Sequence, residues 1–349
     1  MQWNFNHFSG LDYDAKNDKT GIFKILGEDK MGWADDVADE QGNADFMMFS
    51  DIDYRHGEVV EDTNNWGAWI VKELGLSGFR LDAVQHFSQR FTNQFMHHVD
   101  KETGAERFFV GEYWSGEVDT MIKYAEKFDH RFHMYDSPLV YNFSRLSTSE
   151  DADLRTVFDD TLVQKRPMDA VTVVMNHDTQ PGQTVETPIE GFFKPLAYCL
   201  ILLRQEGYPC PFYGDLYGMK GDNPEEPSCG GKLSDIILAR KLYAYGEQQD
   251  YFGEANCLGW VRTGTWDRPS GCAVIMSNAA PAQIKMAVGK EHAGEIWTDV
   301  LGWEQKEVEI GEDGFGMFDC PGTSCGIYVN RDAEGRDRFG KFDQDIYKS

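Results

Sequence analysis

The stretch Gly78-Phe79-Arg80-Leu81-Asp82-Ala83-Val84 decides the fold, because it has the pattern of an apolar β-strand that ends in an acidic residue. Side chains alternate along a strand, so Arg80 and Asp82 share one face while Phe79 and Leu81 share the other. A guanidinium two residues before a carboxylate favours the ionised carboxylate, which is the form that a nucleophile needs. This stretch alone leaves a second interpretation equally open, in which Asp82 pairs with Arg80 or caps the following helix.

Helical patterns flank this strand and predict a βα unit. Before the strand, apolar residues recur on one side of a helix that Gly75 ends: Trp66, Trp69, Ile70 and Leu74. After the strand, apolar residues recur every four positions and predict a second amphipathic helix: Phe87, Phe91, Phe95 and Val99. The chain therefore enters and leaves the strand through helices.

The same unit recurs as far as about residue 247. Short apolar segments predict four further strands, at 108–111, 134–141, 171–175 and 211–213. Strands that alternate with helices form a parallel sheet with helices outside it, and such folds place their chemistry at the carboxyl ends of the strands. No glycine-rich phosphate-binding motif follows any of these strands, which disfavours nucleotide binding.

From about residue 248 the pattern changes to short alternating segments separated by Gly, Pro and Asn. These segments predict an antiparallel β-sandwich, with strands at 272–276, 284–288, 296–300, 308–310 and 326–329. The tail at 332–349 is mostly charged, and we expect it to be mobile.

Composition limits the classes of function that the chain can serve. A net charge of −26 disfavours nucleic-acid and anionic-membrane partners, since both are polyanions. No run approaches the roughly 18 apolar residues of a membrane span, and no basic region precedes an apolar segment at the start. These features predict a soluble, cytoplasmic protein. Its seven scattered cysteines favour reduced thiols, although the spacing of Cys320 and Cys325 leaves a disulfide between them open.

An acidic segment near the start contains a candidate calcium site. Asp45 and Asp51 flank the apolar residues 46–49, which we predict to be a strand, so a loop and a strand end would bring two carboxylates together. Hard oxygen ligands suit calcium better than zinc or copper. The alternative is that these acids form an ordinary solvated surface.

Three predicted strand ends carry acids: Asp82, Glu112 and Asp178. Further side chains suited to an active site follow close by in sequence: Arg80, His86, Trp114 and His177. Carboxylates that face each other across a pocket are what glycoside cleavage requires. Glu112 is the better acid, because desolvation beside Tyr113 and Trp114 would raise its pKa, and Asp82 is the better nucleophile. Trp114 offers a face for a sugar ring, but a core or rim tryptophan is nearly as consistent with the pattern.

Three motifs resemble signatures of glycoside hydrolase family 13, the α-amylase family: the opening stretch, Gly111-Glu112-Tyr113-Trp114, and Asn176-His177-Asp178-Thr179-Gln180-Pro181-Gly182-Gln183. Further segments resemble the liquefying bacterial-type α-amylases, among them Asp51-Ile52-Asp53-Tyr54 and Phe193-Lys194-Pro195-Leu196-Ala197-Tyr198. The resemblance covers roughly residues 1–331.

The resemblance implies retaining endo-hydrolysis of α-1,4 bonds in starch or glycogen, with an α-glucan as the partner and a monomeric full-length protein. On the family pattern Asp82 is the nucleophile, Glu112 the acid/base and Asp178 the third, transition-state-stabilising carboxylate. Arg80 and His177 match active-site residues of the family. A structural calcium ion (Ca²⁺) is implied, and its matching ligands are Asp45, Asp51 and the backbone carbonyl of His86.

The implied fold is α/β, a partial TIM (β/α)8 barrel comprising strands 4 to 8, followed by an antiparallel β-sandwich domain. The implied domains are the remainder of a calcium-binding domain B at 1–57, a partial catalytic barrel at 58–247, the sandwich at 248–331 and the tail at 332–349. No D-x-x-x-N-H segment precedes them, so we expect an N-terminally truncated chain that lacks three barrel strands. Such a chain would be poorly stable and nearly inactive alone.

The chain also departs from the family pattern at single positions. Gln85 stands where a lysine is usual, and Met175 replaces an aspartate that is common before Asn-His-Asp. Ala34 and Arg55 occupy positions where related bacterial enzymes place metal-binding acids, which argues against a second metal. Two alternatives to hydrolysis stay open: a truncated, non-catalytic α-glucan-binding protein, and a family transglycosylase with the same covalent intermediate.

Overall fold

The structure is a computed structural model, and it describes residues 1–27, 30, 32–38, 45–129, 131–149 and 152–345. Contacts group the chain into two compact units, Met1–Tyr135 and Asp136–Ser349. Each unit is described by itself below. The four-part domain division at residues 57, 247 and 331 stays a prediction.

The first unit begins with a small antiparallel sheet and continues with parallel βα units. The sheet has the order β2-β1-β3, from β1 (Phe8–Asp14), β2 (Lys19–Lys24) and β3 (Ser50–Ile52). Next come α1 (Gly57–Leu74), β4 (Gly78–Leu81), α2 (Gln89–Thr103), β5 (Phe108–Gly111), α3 (Val118–Glu126) and β6 (Phe132–Tyr135). Strands β4, β5 and β6 pair in parallel, with Leu81 opposite Gly111 and Gly111 opposite Met134. The predicted parallel arrangement is confirmed for these strands.

Helix α1 ends at Gly75, as predicted, in the left-handed conformation that glycine tolerates (φ 66°). The predicted helix is confirmed, but its apolar side does not pack inward, because Trp66, Trp69 and Leu74 are at least half exposed. The face that packs inward carries small residues, and a Cβ on Gly67 would lie 2.4 Å from the ring of Phe95 on α2. Close approach of the two helices selects small residues, so the large apolar residues do not mark the contact face.

Helix α2 behaves as its four-residue period predicts. Phe91, Phe95 and Val99 are all buried. The ring of Phe79 on β4 meets Phe95 edge to face and stacks on Phe109 of β5 at 5.8 Å. Aromatic packing of this kind supports the strand that carries Arg80 and leads into Asp82.

Two predicted strand boundaries in this region are wrong. Residues 46–49 form no strand, because Phe49 has a left-handed backbone (φ 58°) and Met47, Met48 and Phe49 are largely exposed. The strand predicted at 134–141 ends at Tyr135, and a helix begins at Ser137. Asp136 caps that helix by accepting a hydrogen bond from the Leu139 amide, and Pro138 fits the first turn.

The second unit begins with helices and a parallel strand pair. Its first elements are α4 (Ser137–Thr148), α5 (Leu162–Lys165), β7 (Ala170–Thr172), α6 (Lys194–Leu203), β8 (Tyr208–Pro209), α7 (Tyr213–Tyr217) and α8 (Leu233–Tyr243). Strands β7 and β8 are parallel. The strand predicted at 211–213 is wrong, since pairing ends with the Cys210 amide bonded to the Thr172 carbonyl. Pro211 has no amide hydrogen with which to extend the ladder.

The predicted antiparallel sandwich is confirmed. Its strands are β9 (Gln248–Glu254), β10 (Cys257–Arg262), β11 (Cys272–Ser277), β12 (Ala282–Ala287), β13 (Ile296–Asp299), β14 (Val308–Glu309), β15 (Phe315–Cys320) and β16 (Ser324–Asn330). Six of them form a sheet in the order β14-β13-β16-β11-β10-β9, and β12 pairs with β15. The core between the two sheets includes Trp297, Phe318 and Tyr328.

Specific contacts hold the sandwich and the tail against the helices of the same unit. Trp260 on β10 donates to the Leu203 carbonyl at the end of α6. The tail was expected to be mobile, yet Phe339 stacks on Tyr243 of α8 and the Gly340 amide bonds to Asp235.

All seven cysteines are free thiols, as the sequence predicted, so Cys320 and Cys325 are not paired. The Sγ atom of Cys325 lies 3.6 Å from the Sγ atom of Cys199 on α6. Among the described residues, no helix is both long enough and apolar enough to cross a membrane.

Candidate active site

Arg80 joins two acids at the carboxyl ends of adjacent parallel strands. Its Nη1 atom donates to Oδ1 of Asp82, and its Nη2 atom donates to Oε2 of Glu112 at 3.1 Å. The parallel register of β4 and β5 causes this, since it sets Arg80 opposite Val110 and brings the two strand ends level. Burial opposes the charged guanidinium, but the negative charges of Asp82 and Glu112 raise the pKa of Arg80. The predicted Arg80–Asp82 pair therefore extends to Glu112, which sequence reasoning had not linked to Arg80.

Glu112 and Asp82 differ in their surroundings. The Glu112 side chain is only 14% exposed, whereas that of Asp82 is 66% exposed. Burial raises the pKa of Glu112, and a hydrogen bond and charge repulsion from Asp82 raise it further. A raised pKa lets a carboxyl group keep its proton to higher pH and so act as an acid, while the exposed Asp82 is open to an incoming ligand.

The backbone between these acids adopts an uncommon conformation. Ala83 is left-handed (φ 43°), and its amide points to Oε2 of Glu112 at 3.3 Å. The next amide, of Val84, donates to the Glu112 carbonyl at 3.1 Å. A non-glycine residue in this conformation stores strain, and such strain is concentrated at functional sites. The turn after β4 thus holds Glu112 by both its side chain and its backbone.

The other predicted residues of the first unit lie next to this turn. His86 ends the short 3-10 turn Val84–His86, and Trp114 is partly buried after β5. The neighbouring Tyr113 is a core residue in contact with Tyr124, so it is not part of an open pocket. Gln85, which stands where a lysine was expected, has a buried side-chain oxygen with no hydrogen-bond partner among the described residues.

The second unit holds the remaining predicted residues in a compact turn. The side-chain oxygen of Asn176 accepts hydrogen bonds from the amides of Asp178 and Thr179, both at 2.9 Å. This turn presents His177 and Asp178 to solvent, with Nε2 of His177 at 3.0 Å from Oδ2 of Asp178. An asparagine that caps its own turn explains why Asn precedes His-Asp in this motif.

A buried charge cluster, which sequence reasoning missed, lies behind this turn. Lys194 is buried and donates to Oδ1 of Asp215 at 2.9 Å and to Oε2 of Glu225 at 3.2 Å. Tyr198 and Ser228 donate to the same Asp215 carboxylate. The Lys194 ammonium also lies 3.9 Å from the sulfur of Met175, directly before Asn176. The one sequence signal for this cluster is the i,i+4 spacing of Lys194 and Tyr198, which places both residues on the same face of α6.

Asp45 and Asp51 meet in the first unit, as the calcium prediction requires. Burial raises the pKa of Asp51 to about 7, and burial also raises the pKa of Asp45, to which Asp51 is hydrogen-bonded. Oδ2 of Asp45 accepts from the Ala34 amide at 2.6 Å, and Ser9 donates to Asp51. Two buried carboxylates in contact repel each other when ionised, and a divalent cation would relieve that repulsion. These residues therefore fit a hard cation such as calcium.

The loop that precedes Asp45 contacts the turn that contains His86. The Ala38 amide donates to the Gln85 carbonyl at 3.1 Å, and the Gln89 amide donates to the Asp36 carbonyl at 2.7 Å. The predicted calcium ligands thus belong to segments that are already in contact. The role of the His86 carbonyl as a ligand stays a prediction.

A second group of possible metal ligands consists of His7, His56 and Glu58. Nδ1 of His7 accepts a hydrogen bond from the Asn4 amide at 3.1 Å, so Nε2 carries the proton and lies 3.3 Å from Glu58. A metal at Nε2 would need the opposite tautomer and would break the bond to Asn4. We therefore interpret His7 and Glu58 as a hydrogen-bonded pair, with the ring of His56 packed edge to face against His7.

Comparison with known proteins agrees with the sequence motifs. A family model described as "Alpha amylase, catalytic domain" matches residues 28–255. The chain is 41% identical to an α-amylase of Bacillus licheniformis over 334 residues, which span 95% of this chain and 65% of that protein. It is 40% identical to a cytoplasmic α-amylase of Escherichia coli over 337 residues, spanning 94% of this chain and 68% of that protein.

Solved structures give the same fold at low sequence identity. An Anoxybacillus α-amylase aligns with a TM-score of 0.61 at 18% identity, covering 81% of this chain and 65% of that one. This likeness confirms the predicted fold class, part of an α/β barrel followed by a β-domain. The chain spans slightly less than two thirds of the length of the Bacillus licheniformis relative.

Proposed function

The chain belongs to the α-amylase family, and from that premise we propose that it carries the residues for retaining hydrolysis of α-1,4-glucosidic bonds in starch-type polysaccharides. One observation carries the proposal. Arg80 holds an exposed carboxylate and a buried carboxyl group together at two adjacent strand ends. Retaining glycosidases need this asymmetry, because one carboxyl group must attack while the other donates a proton.

Glu112 is the proposed acid/base. Its low exposure and raised pKa favour the protonated form, which gives its proton to the glycosidic oxygen as the bond breaks. The Glu112 carboxylate then removes a proton from the water that hydrolyses the glycosyl-enzyme intermediate. The Ala83 amide steadies the carboxylate between these two steps.

Asp82 is the proposed nucleophile. Arg80 bonds to Oδ1 of Asp82, so the second oxygen is available to attack the anomeric carbon. The guanidinium also orients the carboxylate, which lowers the entropic cost of reaching the attacking geometry. Exposure of Asp82 leaves room for a sugar ring.

Asp178 and His177 are the proposed partners of the sugar hydroxyls. The roles rest on the motif match and on the local turn that presents both side chains to solvent. Trp114 is the proposed surface for a sugar ring. A neutral polysaccharide suits a chain whose net charge of −26 would repel anionic polymers.

Calcium is the proposed structural ion of the first unit, with Asp45, Asp51 and the His86 carbonyl as its ligands. It would supply a positive charge that neutralises the buried carboxylates and links the acidic loop to the turn after β4. The raised pKa of Asp51 supports this proposal, because a buried acid without a counter-ion resists ionisation.

Because the chain spans about 65% of the length of its Bacillus licheniformis relative, the test joins it to the N-terminal barrel segment of that relative. The joined protein is compared with its Asp82→Asn and Glu112→Gln variants on soluble starch, with released reducing ends as the readout. Each variant should lose activity by at least about 1,000-fold, as expected when a group that reacts directly is removed. Glu102→Gln is the matched control, since Glu102 is an exposed acid on α2 of the same unit. Proton NMR should detect the α-anomer as the first product.

A second measurement tests the covalent step. The Glu112→Gln variant should accumulate a glycosyl adduct on Asp82 from a fluorinated glucosyl fluoride, seen by mass spectrometry of the peptide that contains Asp82. Unchanged starch cleavage by either variant, or a β-anomeric product, would rule out the proposal.

A further inference from the structure

Arg55 makes an unusual set of contacts in the first unit. Its Nε atom donates to Oδ1 of Asp53 at 2.7 Å and its Nη2 atom to Oδ2 at 3.1 Å. The same guanidinium donates to the backbone carbonyl of Trp33 at 3.1 Å and to that of Gly32. A single side chain thus binds the carboxylate of Asp53, which is close in sequence, and two carbonyl oxygens of a segment more than 20 residues away in sequence.

Carboxylate and carbonyl oxygens that converge from separate segments are the ligand set of a hard metal cation. Here the three nitrogens of one guanidinium hold these oxygens. The side chains of Arg55 and Asp53 are only 12% and 9% exposed, so water cannot easily replace either partner. An ordinary surface ion pair between residues two apart would explain the contact with Asp53 but not the two carbonyls.

The charges of the surrounding cluster support the same interpretation. Asp45, Asp51 and Asp53 act on one another electrostatically, and Arg55 acts on both Asp45 and Asp53. Lys30 also acts on Asp53, and Asp35 also acts on Arg55, so four carboxylates and two cationic side chains are balanced by one divalent ion. A second divalent ion would leave the cluster with excess positive charge in a poorly solvated place.

We propose that the guanidinium of Arg55 is the resident cation of a second cation position, formed by Asp53 and the carbonyls of Gly32 and Trp33. The chain then takes a single calcium ion, at Asp45 and Asp51, and ties residues 32–33 to residues 53–55 without a metal. This inference extends the proposed calcium site, and the two are tested separately below.

The experiment is a calorimetric calcium titration of the calcium-free chain and of four variants, with folding checked by circular dichroism. The chain should bind one equivalent, and Arg55→Lys should also bind one because it keeps the positive charge. Arg55→Asp should bind two, because the new carboxylate joins Asp53 and the two carbonyls in a site of at most millimolar affinity. Arg90→Asp is the matched control, since Arg90 has the same charge and a 70% exposed side chain, and it should bind one.

The fourth variant separates the two proposals. Asp51→Asn should bind no calcium if Asp51 is a ligand and Arg55 blocks the second position. If the unaltered chain binds none, the calcium proposal fails, and the Arg55 proposal then requires Arg55→Asp to gain one equivalent. Two equivalents on the unaltered chain, or no gain in folded Arg55→Asp, would overturn the Arg55 proposal.

A second measurement needs no variant, in case Arg55→Asp does not fold. The Arg55 amide donates to the carboxylate of Asp53, and the His56 amide donates to the backbone carbonyl of Asp53. The Ala34 amide donates to the carboxylate of Asp45. In hydrogen exchange, chelator should accelerate exchange at Ala34 and leave Arg55 and His56 protected. Equal acceleration at all three amides would show that the Asp53 position depends on a metal and would overturn the proposal.

Discussion

Replacing Lys194 by methionine should destabilise the second unit strongly. Lys194 is the counter-ion of Asp215, whose side chain is fully buried, and it also neutralises Glu225. In Lys194→Met, Asp215 keeps only the hydroxyl groups of Tyr198 and Ser228 as side-chain donors among the contacts described. A buried charge that has lost its partner is poorly solvated, so the folded state should suffer far more than the unfolded chain.

The magnitude follows from the burial of the pair. Removing one partner of a buried ion pair costs about 3–5 kcal/mol. For a unit of this size, each kcal/mol lowers Tm by roughly 2–4 °C, so the melting temperature should fall by about 6–20 °C. The double variant Lys194→Met with Asp215→Asn removes both charges and should recover at least about 2 kcal/mol of that loss.

Differential scanning calorimetry and urea unfolding would measure these changes. Lys241→Met is the matched control, because Lys241 is exposed on α8 of the same unit, and it should change stability by no more than about 0.5 kcal/mol. A loss below about 1 kcal/mol for Lys194→Met would refute the reasoning. So would a double variant whose loss equals the sum of the two single losses, since the two charges would then be energetically independent.

Four further changes have defined outcomes. Arg80→Met should lower starch cleavage by about 100-fold through the loss of charge-assisted hydrogen bonds. It should also move the alkaline limb of the pH–rate profile to higher pH, because the Arg80 charge lowers the pKa of Glu112. An alkaline limb at unchanged pH would contradict this reasoning. Burial raises the pKa of Asp136 to about 6, so the folded state keeps a proton that the unfolded chain releases near pH 4. Asp136 should therefore contribute a fall in stability of about 3 kcal/mol between pH 4 and 6, which urea unfolding would show as the difference in pH dependence between the unaltered chain and Asp136→Asn. Chelation of calcium should lower the melting temperature of the unaltered chain but not of Asp45→Asn with Asp51→Asn, and equal shifts in both would count against the site. Gly246→Ala should lower the free energy of unfolding by at least about 1–3 kcal/mol in a thermal melt. The reason is that φ at Gly246 is 82° and the new Cβ would lie 1.9 Å from the Gly264 carbonyl oxygen. An unchanged free energy of unfolding would show that the turn can relax.

Local patterns in the sequence were reliable wherever one element buries one face. The four-residue period of α2 predicted its buried side, and the alternating segments after residue 248 predicted the antiparallel domain. The same reasoning failed for α1, whose contact face is selected by close approach to Phe95 and not by apolar bulk. It also failed after β8, where the strand predicted at 211–213 is absent because Pro211 ends the pairing.

The sequence by itself predicted which residues would carry the proposed chemistry: Asp82, Glu112 and Asp178 follow strands or a turn that can be identified from local pattern and motif. Only the tertiary structure decided how charges are shared within each unit. Arg80 serves Glu112 as well as Asp82, Lys194 serves Asp215 and Glu225, and Arg55 reaches the carbonyls of Gly32 and Trp33. The physical reason is that periodicity reports which face of an element is buried. The partner of a buried charge depends on which distant segment the fold brings within about 3 Å.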